Sequence, residues 1–574
     1  MIVSILPFIV NRANEIDFNC QKNHSYFVEF VRQFVEMFYS FSSETVRNPN
    51  KNAMAQGLLG MVVNKPKNNT IMNGETITSK LYASKNSTLT GDYRLGSPFI
   101  RINESPKKQF TPAIPNIPVF ATKKIGRAAE STVSPWGLVI LASSFLLMIG
   151  AAFLAFEFRP DFSKFNADRL NSSWGFVFFA VATALFVFKA AFFVYNVVLY
   201  FKYKPIESVT DKLLPTCTVI VPAYNEGKQV WATLLSLAES QYPEEKLQLL
   251  AIDDGSSDDT WYWMQQAKKR LGDRLAIYQQ PENKGKRHAL YRGFNLGTGE
   301  IFVTVDSDSV VKTDTLRNLV SPFVVNENCG AVAGNIHVLN NNKAILPKML
   351  NVSFVLSFEF MRSAESKLGS VMCTPGALAA YRRTAVFACL PEWINQTFMG
   401  KPSDIGEDRA MTNMILKQGH QVLFQRNAYA YTNVPENYSG LYKMFIRWDR
   451  SNVRENLMMS KFVFTKFRTE STFGSRLLFL NQSLKIVMAY PFTLFMLFFI
   501  ATHPILFLSS TLVGILVMSS FPVLFYAKRY SLAESFWAYS YSILYTFGLF
   551  WITPYAIATA GRRGWLTRGL AEEK

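Results

Sequence analysis

Two long apolar runs dominate the first third of the chain, residues 136–156 (WGLVILASSFLLMIGAAFLAF) and 174–201 (WGFVFFAVATALFVFKAAFFVYNVVLYF). Each reaches the roughly 20 residues that a helix needs to span a bilayer while satisfying its own backbone. Trp136 and Trp174 stand at the run ends, where interfacial anchors sit. From 205 to about 470 the pattern changes. Short β-rich runs, CTVIVPAY, LQLLAIDDG, LAIYQQ, EIFVTVDSD and CGAVAGNIHVL, alternate with helical stretches. Strands spaced by helices predict an α/β domain on a largely parallel sheet. After Arg476 the chain turns apolar again, with spans predicted over 484–501 and 503–526, then an aromatic run over 535–560 that contains Pro554.

Ahead of these elements, residues 1–134 read as a mostly disordered leader, rich in Asn, Lys and Ser and ending in the Pro-spaced TPAIPNIPVF. Its opening MIVSILPFIV is about ten residues long, too short to span a membrane, and lacks the basic start of a secretory signal. Residues 25–41 (SYFVEFVRQFVEMFYSF) fit an amphipathic helix.

Composition supports the membrane reading. Hydrophobic residues reach 49% and charged residues only 18%, more apolar than an ordinary soluble chain. The net charge of +18 suits nucleic acid, an anionic membrane face or phosphate-bearing substrates. Because the positive charge flanks the apolar runs, the membrane leads and nucleic acid is not an expected partner. Five scattered cysteines without a CxxC pair predict neither a disulfide framework nor a zinc site.

Six motifs in the α/β region carry candidate chemistry, and several follow directly on strands, where open α/β sheets bind ligands. VPAYNEG (221–227) offers backbone groups around Ala223 and Tyr224, and the Glu226 carboxylate, to a base or ribose. DDGSSDD (253–259) puts Asp254 where it can accept hydrogen bonds from a uridine, while Ser256 to Asp259 suit a helix cap. KGKRHAL (284–290) gathers Lys284, Lys286 and Arg287 around a glycine, able to neutralise a diphosphate or to form a solvated turn. VDSDS (305–309) sets Asp306 and Asp308 two residues apart, a pattern in which Mg²⁺ or Mn²⁺ binds together with diphosphate oxygens. GEDRAMT (406–412) offers Glu407 and Asp408 for proton abstraction, or as acids that a helix N-terminus favours. IRWDRS (446–451) gives Trp448 as a flat face for a sugar ring, with Arg447 and Arg450 within reach of phosphates. Each is modest alone. Their order, once each between apolar helices, carries the weight.

That ordered set resembles the processive family 2 glycosyltransferases, above all the hyaluronan synthases and the chitin or chitooligosaccharide synthases, over about residues 136–570. The resemblance implies a nucleotide-sugar-binding, GT-A-like α/β domain inserted between transmembrane helices. It implies that Asp254 and Asp306 contact the uridine nucleotide, joined by Ala223, Tyr224 and Glu226, and that Asp308 holds the metal. Lys284, Lys286, Arg287, Arg447 and Arg450 would face the diphosphate. CTPGALAAYRR (373–383), with Gly376, is similar to the acceptor-side segment of these enzymes, and Trp448 would bind the acceptor sugar. Asp408, next to Glu407, would be the catalytic base. GWLTRG (564–569), with Trp565, Thr567 and Arg568, is similar to a gating element that closes over the nucleotide. The chain departs from the pattern at Met444, where QxxRW has Gln, and at Leu566, where the gating element has Gly.

The expected activity is therefore a membrane-bound hexosyltransferase. It polymerises UDP-N-acetylglucosamine, alone or with UDP-glucuronate, into hyaluronan or a chitin-like polymer by inverting transfer coupled to secretion. The alternative is a single-step transferase acting on a lipid carrier. The expected layout is a leader (1–134), two spans (135–204), a cytosolic transferase domain (205–440), interfacial helices with the RW motif (441–475), C-terminal membrane helices (476–560) and the gating-like tail (561–574). The expected location is the plasma (inner) membrane. With a cytosolic domain, a full crossing by 535–560 would put the basic GRRGWLTR outside, against the positive-inside tendency. That run is expected to lie at the interface or to re-enter.

Overall fold

The structure, a computed structural model, describes residues 135–171 and 173–562. The leader and the GWLTRG segment with Trp565, Thr567 and Arg568 lie outside these residues.

Among the described residues there are ten strands: Cys217–Ala223 (β1), Leu247–Asp253 (β2), Leu275–Gln279 (β3), Ile301–Thr304 (β4), Ser309–Val311 (β5), Cys329–Val338 (β6), Ala379–Arg382 (β7), Thr397–Phe398 (β8), Lys401–Pro402 (β9) and Gln421–Thr432 (β10). Eight of them form one sheet in the order β3-β2-β1-β4-β7-β6-β10-β5, and β8 and β9 make a small hairpin. β1 is buried along its whole length, as its unbroken apolar run requires of a strand covered on both faces. Its side chains alternate between two cores. Val219 and Val221 pack with Val230, Leu234 and Leu237 on one face. Ile220 packs with Phe294 and Phe302 on the other.

The expected largely parallel sheet holds for one half only. β3, β2, β1 and β4 run parallel. Beyond β4 the sheet is mixed: β7 is antiparallel to both β4 and β6, and β5 is antiparallel to β10, while β6 and β10 run parallel. Five strands are missing from the sequence reading: β8 and β9, which form the separate hairpin, and β5, β7 and β10, which produce the antiparallel pairings of the main sheet. β5 and β7 have only three and four residues, too few for a periodic signal. β10 is interrupted by register shifts that break its alternation.

Among the described residues four helices are long and apolar enough to cross a membrane: Pro135–Glu157, Trp174–Lys202, Phe473–Thr502 and Pro504–Arg529. Much of their apolar surface faces outward, including Leu146, Phe153, Phe178, Phe492 and Leu524. The third begins at Phe473, well before residue 484. Its first turns carry Gln482 and Ser483, which bond Arg409 (2.6 Å) and Asn456 (2.8 Å) of the α/β domain. The run 535–560 is broken into Trp537–Ile543, a π-helical turn at Leu544–Gly548, and Ile552–Ala558, none of them long enough to span. Met148, Leu512, Ile515 and Trp537 join the first and fourth long helices and this broken segment in a third core, together with Met349 and Val352 of the helix Ile345–Phe354.

Candidate active site

The carboxyl ends of β1, β2 and β4 open onto one cavity of about 810 Å³, at the upper end of the range for small-molecule sites. Ala223 and Tyr224 reach it from β1, Asp254 from β2, and Asp306 and Asp308 from the turn after β4. Lys286 enters at the start of the helix Lys286–Leu296, Gly376 from the loop before β7, and Glu407 and Asp408 from the first turn of the helix Glu407–Lys417. Arg447 and Trp448 come from the helix Tyr438–Ser460. Residues scattered over more than 200 positions therefore share one wall.

Asp254 is 2% exposed. Its Oδ1 accepts from Gln280 Nε2 (2.7 Å) and the Lys284 amide (3.1 Å), and its Oδ2 from the Gly285 amide (2.8 Å). Each carboxylate oxygen has two lone pairs, so Oδ2 keeps one for a ligand donor. Burial pushes this carboxyl up to about 6, against the pull of the two amides. Gly255 turns the chain here with φ +72°, and a side chain on it would strike the backbone of Glu282 and Asn283.

Lys286 bonds the Asp306 carboxylate and lies 3.2 Å from Glu407 Oε1. Burial alone would lower its ammonium, but Asp306 and Glu407 outweigh that and hold it above its ordinary value. Gly376 brings the acceptor-side loop close to this ion pair: a Cβ there would meet the Lys286 ammonium, and the lysine side chain would have to shift.

Asp408 Oδ1 accepts the Arg409 amide (2.7 Å) and Oδ2 the Gly376 amide (3.3 Å). Burial, then repulsion from Glu407, raises its carboxyl, with Lys286 opposing. A carboxylate made more basic in this way suits proton abstraction. Gly406, at φ +79°, precedes the helix and packs on Ser451, where any Cβ would collide. The RW helix and the acidic turn are thus fitted to each other.

Asp308 accepts from the Thr432 hydroxyl (3.2 Å) and the Ser309 hydroxyl (3.4 Å). No group of three or more His, Cys, Asp or Glu side chains able to hold a metal occurs among the described residues. Two hard carboxylates on a cavity wall fit a cation that draws its other ligands from phosphates.

Four of the expected donor-site residues stand apart from this wall. Arg287, one residue after Lys286, points the other way: it is 3% exposed, bonds the Trp393 carbonyl (2.6 Å) and Gln396 (3.0 Å), and lies over the Trp393 ring. Arg450 is 1% exposed and bonds Thr559 Oγ1 (3.0 Å). Lys284 pairs with Glu282 at 3.3 Å. Glu226 donates its backbone amide to Thr260 (2.8 Å) and does not line the cavity.

The structure also adds residues. Cys373 lines the cavity, its thiol 3.8 Å from Asp408 Oδ2, with burial pushing it up to about 12. It opens CTPGALAAYRR, the one signal the sequence held for it. Arg362, Asp449 and Lys485 reach the same cavity; Arg362 and Lys485 lie outside every motif, and Asp449 sits inside IRWDRS but was given no role. Met444, in place of the expected Gln, lines the wall as an apolar residue.

A strand-end carboxylate, an acidic helix start and an RW helix share one cavity. Residues 215–451 match the family model described as "Glycosyltransferase like family 2". The chain is 34% identical over 253 residues to an N-acetylglucosaminyltransferase of Rhizobium meliloti, covering 44% of this chain and 59% of that protein. It is 31% identical over 287 residues to an N-acetylglucosaminyltransferase of Azorhizobium caulinodans, covering 48% and 71%. The match thus spans about three fifths of the first relative's length and more of the second's. A solved mannosyltransferase from Pyrobaculum calidifontis, in complex with GDP-Man and Mn²⁺, is 22% identical with a TM-score of 0.41, covering 65% of this chain and 96% of that one. The chain belongs to the glycosyltransferase-like family 2. Its α/β domain has the GT-A-like fold, set between two pairs of long apolar helices.

Proposed function

We propose that this chain is a membrane-bound, processive hexosyltransferase. It adds N-acetylglucosamine from UDP-N-acetylglucosamine, alone or with a second UDP-sugar such as UDP-glucuronate, to a growing polysaccharide that leaves through the membrane. The observation that carries the reading is Asp408: a half-buried carboxylate, held more basic than usual, in one cavity with Asp254, Lys286 and Trp448. The relatives named N-acetylglucosaminyltransferase support the choice of sugar.

On this reading Asp254, Ala223 and Tyr224 receive the uridine, and Asp306 and Lys286 lie beside the diphosphate. Trp448 stacks on the terminal acceptor sugar. Asp408 takes the proton from its hydroxyl as that oxygen attacks the anomeric carbon from the face opposite the leaving group. The new glycosidic bond forms, the bond to the diphosphate oxygen breaks, and the configuration inverts. Lys286 and Arg447 are the cations that meet the charge developing on the departing UDP. Mg²⁺ or Mn²⁺ held by Asp308 and the diphosphate would supply further charge neutralisation.

The four long helices would cross the plasma (inner) membrane, with the α/β domain on the cytoplasmic side and 535–560 at the interface. The wall that continues from Trp448 to Tyr541, Tyr545 and Ile552 favours a long acceptor over a single-step lipid acceptor.

The test is to supply labelled UDP-sugars singly and in pairs to membranes containing the full chain, then digest the product. A polymer formed from UDP-N-acetylglucosamine and degraded by chitinase is expected. Absence of any incorporation from UDP-N-acetylglucosamine, with or without a second donor, would refute the reading.

A further inference from the structure

The loop 373–376, just before β7, touches the Asp408 carboxylate twice. The Gly376 amide (3.3 Å) and the Cys373 thiol (3.8 Å) both reach its Oδ2. Between them in sequence stands Thr374, which does not line the cavity. Thr374 is buried, and so are the Thr412 and Tyr381 it meets. Its amide donates to Thr412 Oγ1 (3.0 Å). Its hydroxyl lies 2.8 Å from the same oxygen and 2.9 Å from the Tyr381 hydroxyl. Thr412, on the helix Glu407–Lys417, donates in turn to the Asp408 carbonyl (2.8 Å).

These contacts fix the protons. A hydroxyl has one proton to give and two lone pairs. Thr412 gives its proton to the Asp408 carbonyl. It therefore accepts from both the N–H and the O–H of Thr374. Thr374 has then given its own proton, so it accepts from Tyr381. One direction satisfies every group, from Tyr381 through Thr374 and Thr412 to the Asp408 backbone. Bonds chained in this way in a dry interior strengthen one another, and a break in the middle is costly. A threonine that bonds the carbonyl four residues back on its own helix is ordinary. Here a second threonine sits on it, flanked in the same loop by both groups that reach Oδ2.

We propose that Thr374 is a positioning residue for Asp408: seated on Thr412, it fixes the register of the loop 373–376 and so keeps the Gly376 and Cys373 donors on the carboxylate. This rests on Asp408 being the base, and it adds what sets that group's hold on a proton. Donors to a carboxylate favour its charged form. Burial and Glu407, on the same helix, raise the group, while Lys286 and Arg447 oppose them from two other helices. Arg287 also faces it, and burial keeps the Cys373 thiol and the Tyr381 hydroxyl protonated beside it. With those neighbours in place, loss of the loop donors moves the Asp408 carboxyl further up.

The test follows UDP release from UDP-N-acetylglucosamine across pH at saturating donor, using the purified full chain. It compares wild type with T374V and T412V, which break the hydroxyl link from either side, and with T374S, which keeps the oxygen. UDP binding and amide hydrogen exchange are measured alongside. In both valine variants the acid limb of kcat should move up by about one pH unit, the size of one lost hydrogen bond to a charged group. T374S should return the limb to its wild-type position. The donor KM and the Kd for UDP should stay within about twofold of wild type. Without any substrate, exchange in a peptide containing Gly376 should quicken in T374V. An unmoved limb in both valine variants overturns the proposal, and so does a T374S limb displaced as far as that of T374V. A parallel loss of UDP binding also overturns it, because it marks a merely structural tie. Quickened exchange at Gly376, together with UDP release by D408N equal to wild type, would uphold the seating of the loop and overturn Asp408 as the base.

Discussion

Asp254 carries a testable pH signature because its carboxylate sits in a nearly closed pocket. An exposed aspartate titrates near about 3.9; here burial takes the group to about 6. The folded state therefore holds this proton more tightly than the unfolded chain. The group's contribution to stability is fully present below the ordinary value and is lost as pH rises through about 6. Donor binding has the opposite sign, since the proposed uridine contact needs the charged, accepting form. The KM for UDP-N-acetylglucosamine should rise as pH falls below about 6, approaching tenfold per unit. A donor KM that stays flat down to about pH 5 would exclude Asp254 from the nucleotide contact.

At this scale the sequence named most of the charged groups on the wall, and the two arginines that fall away from it follow helix geometry. Lys286 and Arg287 are indistinguishable in KGKR, yet consecutive residues on a helix point about 100° apart. One faces Asp306, while the other is buried over Trp393. Arg447 and Arg450 divide in a related way: Arg447 reaches the cavity and Arg450 is buried against Thr559. Lys485 was not legible, because its meaning comes from Asp449, distant in sequence and adjacent only in the fold.

Between elements, the contact richest in charge joins the α/β domain to the end of the fourth long helix. Glu359, fully buried, bonds Arg529 and Tyr530 and lies 3.4 Å from His337 Nε2 on β6. Burial works to raise its carboxyl, but His337, Tyr530 and Arg529 outweigh it and hold it at about 2. Its stabilisation is present above the ordinary carboxylate value and is lost as pH falls through about 2. Removing one partner of a buried charge pair costs about 3–5 kcal/mol. E359Q should therefore lower the thermal midpoint of the detergent-solubilised protein by several degrees and speed proteolysis near residue 530. An unchanged midpoint would mean that this cluster does not hold the helix to the domain.

The elements themselves were unevenly legible. β1 to β4 and β6 were readable because apolar runs ended in turn and acid signals. The four long helices were readable from length alone, although the third starts earlier than its apolar run because its first turns bond the domain. The antiparallel half of the sheet was hidden in strands too short or too irregular to show a period.

For the whole molecule, the arrangement explains why so apolar and so basic a chain carries a cluster of carboxylates. The α/β domain holds them at strand and helix ends, and the RW helix closes the cavity toward the membrane-side helices. The family was legible from motif order, and the family model matched residues 215–451 inside the range that the resemblance covered. What motif order could not supply was the continuation of the cavity beyond Trp448, which depends on helices brought together from across residues 438–558.

The central claim is that Asp408 is the base of a sugar transfer. The measurement that bears on it most directly is UDP release from UDP-N-acetylglucosamine by the purified full chain, comparing wild type with D408N, with UDP binding measured in parallel. The substitution keeps the shape and one accepting oxygen for the Arg409 and Gly376 amides, but replaces the other oxygen with an NH2 group and removes the basic carboxylate. Release should fall by about two to four orders of magnitude while UDP binding is retained. UDP release by D408N equal to that of wild type would contradict the account.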